Sequence, residues 1–255
     1  MDINTGPSRQ ADPLTLAIDI GGTKLKVGLL DRSGTMIAGP NRTDTPANPA
    51  PPTVVEALVN LAAPLGHFDR ISVGFPGVVR GGRVLTAPNL GTQEWRNFPL
   101  AAALTDKLGK PVRMLNDAEV QGLGVITGKG LECVITLGTG LGFALFLNGR
   151  PAPHLELSQH PIHKGKTYDQ FIGVAAFKEV GRARWNRRLR RVLACITTLV
   201  GFDMLYIGGG DAKQVDLSLP GNVHLVSNDA GITGGVKLWG PALDPEFACF
   251  GAVSK

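Results

Sequence analysis

The 255-residue chain has no run of roughly eighteen apolar residues, the length a membrane-spanning helix requires. Its opening stretch, MDINTGPSRQADP, has no apolar core of the kind a secretory leader carries, so a cytoplasmic location is expected. Cysteine is scarce: Cys133, Cys195 and Cys249 are odd in number, far apart and set among apolar neighbours. That excludes a disulfide framework and any Cys-based metal spacing, and the three thiols are expected to be buried in a reducing compartment. Aromatic residues make up only 6% of the chain, and neither sign of charge dominates, with 26 Lys and Arg against 21 Asp and Glu. The net charge of +5 and the pI near 9.3 favour anionic ligands without calling for nucleic acid. Much of the excess lies in one segment, Arg182 to Arg191 (RARWNRRLRR).

What is abundant is glycine, with 34 residues, and its placement is not random. Leu16 to Leu30 (LAIDIGGTKLKVGLL) reads as a strand, an acidic residue, a glycine turn and a second strand. Val134 to Leu147 (VITLGTGLGFALFL) repeats the design. Ile20-Gly21 aligns with Leu137-Gly138, Asp31 aligns with Asn148, and each turn carries a hydroxyl, Thr23 or Thr139. A single glycine turn reads as an ordinary hairpin. Two in matching positions read as the halves of a phosphate clamp, because glycine lets backbone N–H groups crowd an anion.

The hydrophobic content of 43%, with 18% charged residues, suits a globular chain long enough for one large domain or two lobes. Residues 1–13 are expected to be a disordered lead-in. Strands are expected at about 14–20, 25–31, 34–39, 70–75 and 111–115, with a loop over 41–52 and a Gly-rich hairpin at 80–84. Helices are expected along the Val54, Val55, Leu58, Leu61, Ala62, Leu65 stripe and over Leu100–Leu108. The pattern restarts at Val134, with helices at about 168–180 and 185–201 and a buried strand over 204–207. The expected organisation is α/β, with an N-terminal lobe over 14–115, a C-terminal lobe over 116–255 and an interlobe cleft, where ligands commonly bind.

Asp19-Ile-Gly-Gly-Thr-Lys24, Gly74-Phe-Pro-Gly77, Asn116-Asp117-Ala118, Gly138-Thr-Gly-Leu-Gly142 and Gly208-Gly-Gly210 occur in the order seen in the ROK (repressor–ORF–kinase) family of sugar kinases. The resemblance spans about residues 14–240. It implies the actin/hexokinase-like fold, a duplicated ribonuclease H-like architecture. His160 to Tyr168 (HPIHKGKTY) resembles the subgroup described as polyphosphate glucokinases. Transfer of a phosphoryl group from polyphosphate or ATP to the 6-hydroxyl of glucose is then the expected reaction. Another hexose (mannose, fructose or an N-acetyl amino sugar), or a catalytically weak sugar-binding regulator, is the alternative. The family's repressors carry an N-terminal helix-turn-helix module, for which the residues before the first strand are too few.

The resemblance implies that Asp117 is the catalytic base; as a residue at a strand–helix junction it also reads as a helix N-cap. Asn89 and Asn116 would bind sugar hydroxyls, though Asn116 also reads as a turn residue. Asp19 would help hold Mg²⁺, directly or through water, or bond its own turn. Gly21, Gly22, Thr23 and Lys24, with Gly138, Thr139 and Gly140, would cradle donor phosphates, Lys24 being equally a solvated hairpin lysine. Gly208, Gly209 and Gly210 would admit a nucleotide or simply end a strand.

The family's Glu-x-Gly-His segment corresponds here to Glu156-Leu-Ser-Gln159, so the acid is kept and the histidine is replaced by glutamine. A second family acid falls at Asp169, one methylene shorter than the usual glutamate. Glutamine bonds hydroxyls but does not ligate zinc as imidazole does. The family's Cys-rich zinc loop is replaced by HPIHKGKTYDQ, and no zinc is expected. Lys164 and Lys166, with the arginine run, read either as a solvated basic face or as a track for a polyanion. A homodimer is implied by the family, although GPALDPEFACFGAVSK after Trp239 offers little apolar helical surface for one.

Overall fold

The computed structural model of the chain describes residues 12–227 and 230–248. In chain order the first half contains β1 (Thr15–Ile20), β2 (Lys24–Leu30), β3 (Met36–Asp44), α1 (Pro51–Ala62) and β4 (Arg70–Phe75). A small hairpin of β5 (Val79–Arg80) and β6 (Arg83–Val84), then α2 (Thr92–Trp95), α3 (Leu100–Leu108) and β7 (Val112–Asn116), complete it. The second half contains α4 (Asp117–Leu123), β8 (Leu131–Leu137), β9 (Leu141–Leu147), β10 (Arg150–Pro151), β11 (Pro161–His163) and β12 (Lys166–Thr167). After these come α5 (Tyr168–Ile172), α6 (Val174–Val200), β13 (Met204–Gly208), β14 (Val223–Leu225), α7 (Ala230–Thr233) and α8 (Asp244–Ala248).

Two five-stranded sheets follow one plan. The first has the order β3-β2-β1-β4-β7 and the second β10-β9-β8-β13-β14. Each begins with a three-stranded antiparallel meander and continues into two parallel strands. The parallel strands need crossovers, supplied by α1 and α3 in one sheet and by α5 and α6 ahead of β13 in the other, where β14 follows through a loop with one short 3-10 turn. β1 and β4 are buried almost throughout, as strands covered on both faces must be.

Three differences from the expected elements have physical causes. β3 runs to Asp44, through what reads as a Pro-, Asn- and Thr-rich loop, because Asn41, Arg42, Thr43 and Asp44 pair with Val27, Lys26, Leu25 and Lys24. As an edge strand it is largely solvent-facing, so its polar composition hides it. Helix α1 begins earlier than its apolar stripe because Pro51 and Pro52 suit the first turn, where no N–H bond is lost. The expected helix at 168–180 is instead split at Gly173, and α6 is broken again at Gly181, whose φ of 72° is not helical. Along α6, Trp185, Leu189, Val192 and Ile196 are buried on one face.

Each sheet has its own apolar core, and a third cluster around Ala118, Val120 and Leu123 of α4 lies between them. The chain then returns to the first sheet near its C-terminus. Ser72 Oγ of β4 donates to Gly235 O at 2.6 Å and accepts from Trp239 Nε1 at 2.9 Å. Arg113 of β7 donates to Leu238 O at 2.8 Å and pairs with Asp244 at 2.9 Å, stacking on Trp239. Of the three thiols, Cys133 is buried and pushed up to about 12 by burial, and Cys195 is half-buried; Cys249 and residues 1–11 of the lead-in lie outside the described residues. No helix among the described residues is long and apolar enough to cross a membrane.

Candidate active site

The two glycine hairpins face a cleft of about 520 Å³. On its first-sheet side, the β1–β2 turn closes with Gly21 N–H donating to Lys24 O at 3.0 Å, and Gly21 and Gly22 line the cleft. Asp19, one residue before the end of β1, accepts from Lys26 Nζ at 2.7 Å. Asn89 lies against Gly22.

Between the hairpins, β7 runs directly into α4. Asn116 is the N-cap, its Oδ1 accepting from Ala118 N–H at 2.9 Å, while the Glu119 carboxylate accepts from Asn116 N–H at 3.0 Å. This capping box satisfies donors that the first helical turn leaves free. The Asn116 amide nitrogen also donates to Phe75 O and Gly77 O at 3.3 and 3.1 Å, so both of its protons serve the backbone. The cap is therefore Asn116 and not Asp117. The Asp117 carboxylate accepts one bond from Ala118 N–H at 2.8 Å and otherwise faces the cleft. Burial, then the Asp19 charge, then Glu156 raise its pKa to about 7; the Ala118 N–H and the His154 charge oppose them.

On the second-sheet side, Gly138 N–H donates to Gly140 O at 3.1 Å to close the β8–β9 turn. Asp169, from α5, braces this turn by accepting from Leu141 N–H at 2.7 Å. A Cβ at Gly140 would collide with that carboxylate and displace it from the turn. Burial raises the Asp169 pKa; the Leu141 N–H opposes this, and Glu156 adds to it. Gly209, at φ 89°, passes so close to the Leu137 backbone that a side chain would not fit.

Glu156 lines the cleft with its Oε1 accepting from Ser158 Oγ at 2.5 Å. Gln159 is exposed and reaches Ser158 Oγ and Asp169 Oδ2, both at 3.2 Å. The imidazole beside Glu156 comes instead from His154, whose side chain is only 8% exposed.

The structure thus brings Asp19, Gly21, Gly22, Asn89, Asn116, Asp117, Gly138, Thr139, Gly140, Glu156, Asp169, Gly209 and Gly210 to one cleft. Other expected residues lie elsewhere. Thr23 is absent from the cleft wall, and Lys24 turns out to Asp44 at 2.7 Å. Gly208 packs on Gln121, and Lys166 lies 3.8 Å from Glu179. Lys164, at φ 49°, sits in the β11–β12 turn, away from the cleft wall.

Two cationic residues that motif reading missed, Lys26 and Arg42, stand side by side on β2 and β3 and line the cleft. Hairpin register was the available signal, since pairing Ile20 with Leu25 sets Lys26 opposite Asp19. His154 gave no signal, because it lies in a loop between short elements. Of the arginine run, Arg182, Arg187 and Arg190 line a separate shallow groove with Asp216. Among the described residues no three His, Cys, Asp or Glu side chains are grouped to hold a metal ion.

Paired sheets of one plan, closing on a carboxylate set between two glycine turns, make this a two-lobed α/β protein of the actin/hexokinase-like fold. The ROK family model matches residues 15–153, more than half of the chain, and the chain belongs to the ROK family. The polyphosphate glucokinase of Mycobacterium tuberculosis is 29% identical over 234 residues, covering 85% of this chain and 87% of that protein. The inorganic polyphosphate/ATP-glucomannokinase of Arthrobacter sp. strain KM superposes with a TM-score of 0.79 at 30% identity, over 89% of this chain and 98% of the other. The Streptomyces griseus ROK glucokinase, solved with glucose and AMPPNP, has a TM-score of 0.72, covering 88% and 98% of the two chains. At 19% identity it bears on the fold. These relatives are sugar kinases.

Proposed function

We propose that this chain is a glucokinase that transfers a phosphoryl group from polyphosphate or ATP to the 6-hydroxyl of glucose. The observation that carries the reading is the Asp117 carboxylate, held near neutrality in its proton affinity and set between two amide-lined turns in one cleft. Phosphoryl transfer asks for alignment and charge neutralisation more than for covalent chemistry, and one placed base suffices. Asp117 accepts the hydroxyl proton as that oxygen attacks the terminal phosphorus, and ADP or a shortened polyphosphate leaves. The N–H groups of Gly22, Thr139 and Gly140, with Lys26 and Arg42, hold the donor oxygens, while those of Gly21 and Gly138 close their own turns. Asp19 would supply one hard oxygen of the kind Mg²⁺ accepts, and the ion would neutralise charge on the donor.

Glu156 and Asn89 face the acceptor side, and the Arthrobacter relative's two-sugar name favours mannose as a second acceptor. A panel of hexoses crossed with ATP and polyphosphate, each with Mg²⁺, tests the reading directly. Glucose 6-phosphate is the expected product, and no product from any pair would sink it, leaving a sugar-binding regulator.

Donor contacts make a narrower prediction. Lys26→Met should raise the donor KM about tenfold, the worth of one charge-assisted hydrogen bond. Neutralising Lys164 and Lys166 together should change it by less than twofold with a short polyphosphate. The reverse ranking would place the donor outside the cleft.

A further inference from the structure

His154 is buried on the acceptor side of the cleft and takes no part in the transfer itself. Its Nδ1 lies 3.2 Å from Glu119 Oε1 and its Nε2 3.6 Å from Glu156 Oε2. Glu119 is 6% exposed, and its other oxygen accepts the Asn116 N–H that starts the Asp117 helix. Glu156, in turn, is fixed through its other oxygen by Ser158. A continuous line of contacts therefore runs from the backbone of Asn116 through Glu119, His154 and Glu156 to Ser158, joining α4 to the segment after β10. A buried carboxylate and a half-buried one flanking a single imidazole favour a proton on each ring nitrogen. Nothing else in the line is a cation.

We propose that His154 is a positioning residue, an imidazolium that ties the base-bearing helix to the acceptor-binding carboxylate and fixes their spacing. This rests on the reading above that Glu156 meets the sugar. Glu119 of α4 meets the ring directly, and the ionisable groups lining the same cleft are the carboxylates of Asp117 from α4, Glu156, Asp19 from β1 and Asp169 from α5, with Lys26 from β2 and Arg42 from β3. Burial works against the charged ring, and the Glu119 bond, with the Glu156 carboxylate 3.6 Å away as an ion pair, outweighs it, raising its pKa to about 9. The His154 charge and the Ser158 hydroxyl hold Glu156 low, despite the burial that opposes its ionisation. The same charge lowers the proton affinity of Asp117.

His154→Gln separates this role from simple packing. In a folded variant the glucose KM should rise about tenfold, with the donor KM changed by less than twofold. The acidic limb of kcat/KM should also move to higher pH, because Asp117 loses a neighbouring cation. A folded variant with an unmoved limb and an unchanged glucose KM overturns the proposal.

Should the variant not fold, histidine-labelled wild-type protein decides by NMR. One of the five histidines should remain doubly protonated through pH 8, and its signal should shift when glucose is added. Titration of all five below pH 7.5 overturns the bridge. The glucose shift is a binding readout that needs no turnover, so failure of the kinase reading in the donor–acceptor panel is distinguishable from failure of this one.

Discussion

Asp117→Asn should fold normally and lose kcat by about 10²- to 10⁴-fold, the usual range for a removed general base. The asparagine Oδ1 can keep the bond from Ala118 N–H, so the start of α4 stays intact. Asn116 and Glu119, not residue 117, make the cap and its capping box. The wild-type kcat/KM should fall about tenfold per pH unit below pH 7, because the carboxylate must be ionised to accept a proton and its pKa is raised to about 7. Stability has the opposite sign. A carboxyl whose folded pKa is raised stabilises the fold fully below its unfolded value of 3.8, and that contribution is lost as pH climbs through 7. The asparagine variant has no such loss, so at pH 8 its Tm should equal or exceed that of the wild type. Steady-state kinetics over pH 5–9, with calorimetry at pH 5 and pH 8, check both halves. Near-normal turnover would remove Asp117 from the role of base.

Glu132→Ala should lower stability by about 3 kcal/mol, and so Tm by roughly 10 °C, without touching the cleft. Glu132 is fully buried at the start of β8, and its carboxylate accepts five bonds. Thr127 N–H and Oγ, Gly128 N–H and Lys129 N–H bind it from the loop after α4, at 2.7, 3.0, 2.7 and 3.1 Å. Tyr206 of β13 adds a fifth at 3.0 Å. Removing the acceptor leaves the buried Tyr206 hydroxyl without its partner and releases the loop's four donors to solvent, which unties the loop from β8. Burial opposes ionisation of Glu132, but the loop donors and Tyr206 win, and its pKa is lowered. Its stabilisation is therefore present above the unfolded value of 4.5 and fades as the solution is acidified below it. The gap in Tm between wild type and variant should narrow below pH 4.5. A gap of under 2 °C at pH 7 would show the loop to be held by other contacts.

The cleft's position was legible in sequence because it is built at strand ends, where local chemistry and tertiary placement coincide. Two glycine turns of one design, each after a buried strand, announced a duplicated sheet, and β7 running into Asn116-Asp117 announced a helix cap. Where local chemistry and placement part, reading failed. Lys24 sits in the motif, yet its strand position sends it to Asp44 and solvent, while Lys26 two residues on faces Asp19. Asp44 itself belongs to a strand whose polar edge position disguised it. Gln159 aligns with a family histidine but is exposed, whereas His154, from an unpatterned loop, supplies the imidazole beside Glu156.

The sequence by itself determined the two-sheet α/β plan, the pair of glycine turns and the carboxylate at the strand–helix junction. Each of these is a local pattern, set by strand alternation, by glycine's missing Cβ or by capping. Only the tertiary structure decided which cations line the cleft, that Asp169 braces the second turn, and that His154 lies between Glu119 and Glu156. Asp169 and Leu141, Lys26 and Arg42, and His154 and Glu119 are far apart along the chain, and their geometry exists only once the chain has folded.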